Sequence, residues 1–179
     1  MAVSLKPVHR MPTPACLHFL CGKAGAGKST LAKALAQAHD AILICEDIWL
    51  ARLFGDQMKT FEDYRALAQR AKAVVGPLVI DLLVAGQNVV LDYPANTRTS
   101  RAWFRSLYEA AGADHVLHYV DVPDWVCLQR IGQRNTERPE GSHPLTEDDF
   151  VHISSFFETP EAAEGFRTEV HAAAGGHAP

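Results

Sequence analysis

The sequence predicts a three-layer, doubly wound α/β domain on two observations. Short continuous apolar runs alternate with amphipathic segments along the whole chain, and a glycine-rich stretch joins the first run to the first amphipathic segment. Continuous apolar strands need cover on both faces, which helices on either side of a parallel sheet supply.

Taken in order, "ACLHFLC" reads as a short buried strand, and residues 29–38, "STLAKALAQA", as the helix after it, rich in alanine and leucine. "AILIC" is a second apolar strand, and "EDIWLARLF" opens a short helix with two acids at its start. "FEDYRALAQRAKAVVGPLVIDLLVAG" has helical periodicity, with a kink expected at Gly76-Pro77. "NVVLD" is a third strand, "TSRAWFRSLYEAAG" a helix closed by Gly112, "HVLHYVDV" a fourth strand, and "PDWVCLQRIGQRN" a helix with proline at its start. "TERPEGSHPLTEDDF" is polar and rich in turn residues, which suits a loop or lid. Thr146 caps a last helix, "TEDDFVHISSFF", with Asp149 three residues on.

A chain of 179 residues suits one domain with a substantial core. A hydrophobic fraction of 47% and a charged fraction of 21% are those of an ordinary folded protein, and a net charge of −4 gives no global basic field for nucleic acid. "PLVIDLLVAG" is interrupted by Asp81 and falls short of a membrane span. The first residues carry Lys6 and Arg10 but no uninterrupted apolar core, so a flexible arm over 1–14 is expected rather than a targeting peptide. Cys16, Cys21, Cys45 and Cys127 lack metal-ligand spacing and read as reduced thiols in a cytoplasmic protein. The final "HAAAGGHAP", 171–179, is expected to be a flexible tail.

Gly22-Lys23-Ala24-Gly25-Ala26-Gly27-Lys28-Ser29 fits G-x-x-x-x-G-K-[ST], with a strand before it and a helix after it. The stretch looks like a phosphate-binding P-loop: glycines let the backbone amides turn inward, and the helix start adds its positive dipole end to the same pocket. Lys28 is expected to reach the β and γ phosphates of ATP, and the Ser29 hydroxyl to ligate Mg2+. Lys23 sits at a variable position and contributes its backbone amide, and Thr30 is a candidate contact to the α phosphate.

Open α/β sheets bind ligands beyond the carboxyl ends of their strands. "VVLD" places Asp92 there, as a Walker B-type carboxylate for the metal or, otherwise, a turn cap. "ILICED" places Glu46 and Asp47 there too. Asp47 is the candidate base for an acceptor hydroxyl, with Glu46 its substitute if the register is one residue off. Arg52, roughly a turn further on, could hold an anionic substrate, stabilise Asp47 or be a solvated arginine. Arg130, Arg134 and Arg138 are four apart, so the first two share a helix face that could clamp a triphosphate, Arg134 being the better placed. Arg98, Arg101 and Arg105 form a second basic set, read as an exposed face before a substrate contact. Of nine histidines, His115 and His118 lie three apart in one strand, on opposite faces, and read as structural; His143 lies in the lid segment beside Pro144.

The P-loop, the acidic "CED", the "VVLD" strand followed by "YPANTRTSRAWFR", and "DVPDWVCLQRIGQRN" before a polar lid together resemble the small P-loop kinase superfamily. Within it, the chain is similar to AAA-domain-labelled kinases related to zeta toxins, chloramphenicol phosphotransferase and the kinase domain of polynucleotide kinases, over residues 15–157. The resemblance implies that the aspartate after the second strand, Asp47, is the general base and that Arg134 or Arg130 contacts ATP phosphates. It places Asp92, Asn96 and Arg98 where relatives meet substrate or metal. The chain lacks the Asp-x-x-Arg spacing of polynucleotide kinases, the first arginine after Asp47 being Arg52, which counts against a nucleic-acid acceptor.

A GTPase would carry Asn-Lys-x-Asp and Asp-x-x-Gly, and neither occurs. A ring-forming AAA+ motor needs a longer chain with a helical lid domain. The expectation is therefore a cytoplasmic α/β fold of the P-loop nucleoside triphosphate hydrolase/kinase type, monomeric or weakly dimeric, with no membrane partner. A kinase-like domain over 15–170 carries a lid around 135–146 and transfers the γ phosphate of Mg-ATP to a hydroxyl-bearing substrate. An ATP-dependent switch or slow ATPase acting through a protein partner is the alternative.

Overall fold

A computed structural model describes residues 14–172. The chain runs β1 (Cys16–Cys21), α1 (Lys28–Ala38), β2 (Ile42–Cys45), α2 (Glu46–Phe54), α3 (Phe61–Val84), β3 (Val89–Pro94), α4 (Arg98–Ala111), β4 (Asp114–Asp121), α5 (Asp124–Glu137), α6 (Glu147–Ser154) and β5 (Thr168–Ala172). The five strands form one sheet in the order β2-β3-β1-β4-β5, and every pairing is parallel. The chain leaves β1 toward β2 at one edge and crosses from β3 to β4 on the other side. The carboxyl end of β1 is therefore a topological switch point, where such sheets open a crevice.

Alternation along each strand sends side chains to two apolar layers. Leu17, Phe19 and Cys21 of β1, with Val89 and Leu91 of β3, pack against Val75, Val79 and Leu83 of α3 and Phe104 and Leu107 of α4. On the other face, Leu20 and Val90 meet Ala32 and Leu35 of α1, while Val120 and Val122 meet Cys127 and Ile131 of α5. Truncating a fully buried leucine such as Leu17 to alanine would cost about 2–5 kcal/mol.

α3 runs unbroken through Pro77 as one helix of 24 residues; the proline costs a backbone bond, but Val75 and Val79 beside it are fully buried and hold the segment to the sheet. Thr146 and Asp149 form a reciprocal capping box at the start of α6, as their spacing predicts. β5 takes in His171 and Ala172, the first residues of the expected tail, by pairing with β4; residues 173–179 and the arm up to 13 lie outside the described residues.

Arg101 corrects the reading of an exposed basic face. It is fully buried and bonds both carboxylate oxygens of Glu164, at 2.7 and 2.9 Å, and the carbonyls of Ala95 and Glu158. Through these bonds it fastens α4 to the segment leading into β5. Arg105 donates to the Glu164 carbonyl and lies over the Phe166 ring, while Arg98 pairs with Glu161 at 2.8 Å.

Candidate phosphate and acceptor site

β1 ends at Cys21 and α1 begins at Lys28, so the intervening glycine loop stands at the switch point. Gly27 caps α1 in a left-handed conformation with no side-chain bond to the helix, which leaves the first amides of α1 for another acceptor. Gly25 has a φ of +75°, and a Cβ there would stand 2.4 Å from the Cys127 carbonyl oxygen of α5. Only glycine lets the loop lie this flat on α5. The Gly22 N–H donates to Asn96 Oδ1 at 3.0 Å, and the Ala95 N–H to the Leu20 carbonyl at 3.0 Å, so the β3–α4 loop is tied to the root of the phosphate loop.

The Lys28 ammonium donates to the carbonyls of Gly22 at 2.6 Å and Lys23 at 2.9 Å. Burial pushes its pKa down, and the charges of Asp92 and Asp47 oppose that push. Lys23 turns away and pairs with Asp124 at 2.5 Å. Arg130 reaches from α5 across the loop and donates to the Ala26 carbonyl at 2.6 Å, while Arg134 lies a turn further along α5 with its Nε buried and without a partner among the described residues. The two arginines share the helix face that their spacing predicts.

Cys45, at the end of β2, pairs in register with Asp92 of β3, and its thiol donates to Asp92 Oδ2 at 3.4 Å. Burial, together with the neighbouring Asp92, raises the Cys45 pKa to about 12, so it stays a thiol. The next two residues diverge. Glu46 is buried, with Oε2 accepting from the Tyr64 hydroxyl at 3.0 Å and Oε1 lacking a partner among the described residues, and desolvation raises its pKa. Asp47 opens to solvent at the mouth, yet α2, β3 and the loop after α5 crowd round it. That crowding, and then the Asp92 charge, raise its pKa, while His143, Arg134 and Lys28 lower it.

The segment after α5 closes over this mouth. Asn135 bonds the Leu145 carbonyl at 2.7 Å and accepts from its N–H at 3.1 Å, which fixes the base of the loop. Gly141 has a φ of +78°, and a Cβ on it would come within 3.0 Å of the Asp47 carbonyl carbon, so the loop backbone rests on the first turn of α2. Arg52 stays exposed, as a solvated arginine would, and there it bonds both oxygens of Glu140, at 2.8 and 3.0 Å. A cleft of about 280 Å³ opens beside Lys23, but its walls, including Tyr119, Asp121 and Phe157, contain none of Lys28, Asp47 or Asp92.

The structure thus brings Lys28, Asp47, Asp92, Arg130 and Arg134 around one loop, with Ser29 in the first turn of α1. Asn96, Asn135 and Gly141 had no positioning role in the sequence reading; an amide side chain next to a turn carries no signal of what it will tie together.

A parallel sheet in this order with a glycine loop at the end of β1 is the fold of the P-loop kinases. The chain belongs to the AAA domain family, whose model matches residues 17–160. No curated protein matches the sequence. A candidate kinase from Chloroflexus aurantiacus j-10-fl is similar in structure, with 17% identity, 89% of each chain covered and a TM-score of 0.73. The Mycobacterium tuberculosis APS kinase, solved with AMPPNP and APS, is similar at 22% identity over 84% of this chain and 86% of that one, with a TM-score of 0.58. A gluconokinase from Sinorhizobium meliloti 1021 is similar at 18% identity over 91% and 85%, with a TM-score of 0.59. Among the described residues, no helix is long and apolar enough to cross a membrane.

Proposed function

We propose that the chain is an ATP-dependent phosphotransferase that carries the γ phosphate to a hydroxyl of a neutral or cationic small molecule. One observation carries the reading: Lys28, held inside the glycine loop at the end of β1, has the carboxylates of Asp92 and Asp47 in its electrostatic surroundings. Phosphate oxygens would replace the Gly22 and Lys23 carbonyls as partners of Lys28, and an anion beside this buried ammonium would offset its desolvation. The free amides at the start of α1 would hold the β phosphate.

Ser29 and Asp92 offer the hard oxygen donors that magnesium prefers, and Asp92 Oδ1 is not engaged by the Cys45 thiol. When bound there, the metal would neutralise charge on the β and γ phosphates. Asp47, at the mouth, would accept the acceptor's proton as its oxygen bonds to the γ phosphorus and the bond to ADP breaks. A carboxylate with a raised pKa is a better base near neutral pH than an ordinary aspartate. Arg130 and Arg134 would meet the developing phosphoryl charge, Arg134 with a buried N–H still to be satisfied. Glu46 is turned into the interior and would shape the acceptor pocket from behind.

The charges argue about the acceptor. Asp47 and Asp92, with Glu46 behind them facing Lys72, leave its side of the site acidic on balance, whereas Arg52, Arg98 and Arg101 are each engaged with a glutamate. A phosphorylated or carboxylated acceptor would meet repulsion there, and an alcohol, polyol or amino alcohol would not. The test is a γ-labelled ATP assay with magnesium and a metabolite extract separated by charge. Label moving into the neutral or cationic fraction with wild type and not with Asp47→Asn is the expected result. Label appearing only as free phosphate would favour an ATPase or switch.

A further inference from the structure

His118 lies in the middle of β4, opposite Glu169 of β5 in the pairing register, and His171 stands two residues further along β5 on the same face. His118 Nδ1 is 3.0 Å from His171 Nε2 and 3.6 Å from Glu169 Oε2. In a tetrahedral zinc site with metal–nitrogen bonds of about 2.0–2.1 Å, neighbouring ligand atoms stand about 3.3 Å apart. The measured spacings bracket that value. No single-strand spacing could reveal the grouping, because it joins two strands more than fifty residues apart in sequence.

The surroundings are those of an ordered ligand. On its other nitrogen, His118 Nε2 lies 3.0 Å from His18 Nδ1, and the His18 ring stacks on His39, the residue that caps α1, at 4.4 Å. A hydrogen on His118 Nε2 donated to His18 leaves the Nδ1 lone pair directed to the β5 side. A hydrogen bond of this kind on the second ring nitrogen fixes the tautomer of metal-binding histidines. His118 itself is fully buried, whereas Glu169 is exposed and His171 half-buried, so one side of the group is anchored and the other is open for entry and for water as a fourth ligand.

We propose that His118, Glu169 and His171 form a binding site for zinc or a divalent transition ion of similar size. Two imidazoles and one carboxylate favour such an ion over magnesium or calcium, which take oxygen ligands. As the ion binds, the hydrogen between His118 and His171 passes by way of solvent to His171 Nδ1, freeing Nε2 as a neutral ligand, and the Glu169 carboxylate is drawn in from 3.6 Å. It thereby pins β5, the edge strand, to β4. None of these residues belongs to the phosphate loop or its carboxylates, so the site acts on the stability of the edge rather than on the phosphoryl group.

The test uses the full untagged chain, stripped with chelator and titrated with Zn2+, and with Co2+ for its visible absorption, beside Glu169→Gln, His171→Ala and the double variant. Glu169 and His171 sit at the rim, and ATP binding by the variants reports that they are folded. One equivalent bound by wild type, with a tetrahedral Co2+ spectrum and a raised melting temperature, is expected. Each single variant should lose at least about tenfold in affinity. With nine histidines in the chain, loss in the double variant is the decisive control. Failure of wild type to bind, or equal binding by wild type and the double variant, would overturn the proposal.

Discussion

The phosphate loop and the lid meet at the same site but are held in opposite ways. The loop is packed as backbone: Ala26 is buried, Gly25 lies against the Cys127 carbonyl, and the Lys28 ammonium is gripped by two loop carbonyls. In the segment after α5, none of residues 138–146 is buried, and its side-chain link to α2 is the exposed Arg52–Glu140 pair, beside the backbone contact of Gly141 with Asp47. Exposed pairs of this kind contribute little, and we propose that this segment lifts as a lid at small cost while the loop keeps its shape. On the proposed function, such a site must hold a charged nucleotide and still admit it, which needs one half rigid and the other exchangeable.

That contrast can be broken most forcefully on the loop side. Gly25→Val would drive a Cβ against the Cys127 carbonyl and a branch toward Ile131, at a positive φ that valine resists. We expect a loss of about 1–3 kcal/mol in urea unfolding, with ATP affinity falling alongside it. Valine tolerated without loss would mean that the loop is not the rigid half.

A smaller effect is expected at Glu46, behind the proposed acceptor pocket. Glu46 has a raised pKa in the folded state, so the folded chain holds its proton more tightly than the unfolded chain does. The slope of stability with pH is then negative. Glu46 contributes most below the unfolded glutamate value of about 4.3, and that contribution is lost as pH rises through the higher folded value. Glu46→Gln should flatten this part of the profile and gain on wild type at pH 8 relative to pH 4, measured by urea unfolding at both. An unchanged profile would mean that Glu46 is ionised without strain, with a partner for both oxygens.

The smallest effect belongs to the lid. Arg52→Ala should leave the urea midpoint nearly unchanged and raise the KM for ATP by no more than about fivefold. A large fall in stability would show that the lid is a structural strap.

The same contrast explains what was legible in the sequence. β1, the loop and α1 could be read because one contiguous stretch carries the strand, the glycines and the helix, and its function needs backbone more than distant partners. The order β2-β3-β1-β4-β5 could not be read, though the alternation of strand and helix gave its class. Glu46 and Asp47 are adjacent acids after the same strand, and only the turn of α2 against α3 sends one inside and leaves the other at the mouth. Arg101 shares its helical spacing with Arg98 and Arg105, yet its partner Glu164 is 63 residues away, so periodicity alone makes it a surface residue. β5 was missed for a related reason: "TEVHA" is short and mostly exposed, and it becomes a strand because β4 offers it an edge.

On the proposed function, holding ATP and moving its phosphate fall to different residues, Lys28 in the rigid loop and Asp47 at the mouth. The most direct measurement is ATP affinity by calorimetry beside phosphoryl transfer by label, for wild type, Lys28→Ala and Asp47→Asn, across pH. Lys28→Ala should lose both, turnover falling about a hundredfold or more with the fold intact. Asp47→Asn should bind ATP as wild type does and lose transfer by about 10²–10⁴-fold. It should also lose the acid limb of the wild-type profile, whose midpoint lies above the ordinary aspartate value near 3.9 because the Asp47 pKa is raised. Transfer by Asp47→Asn at the wild-type rate, with the acid limb still present, would contradict the account.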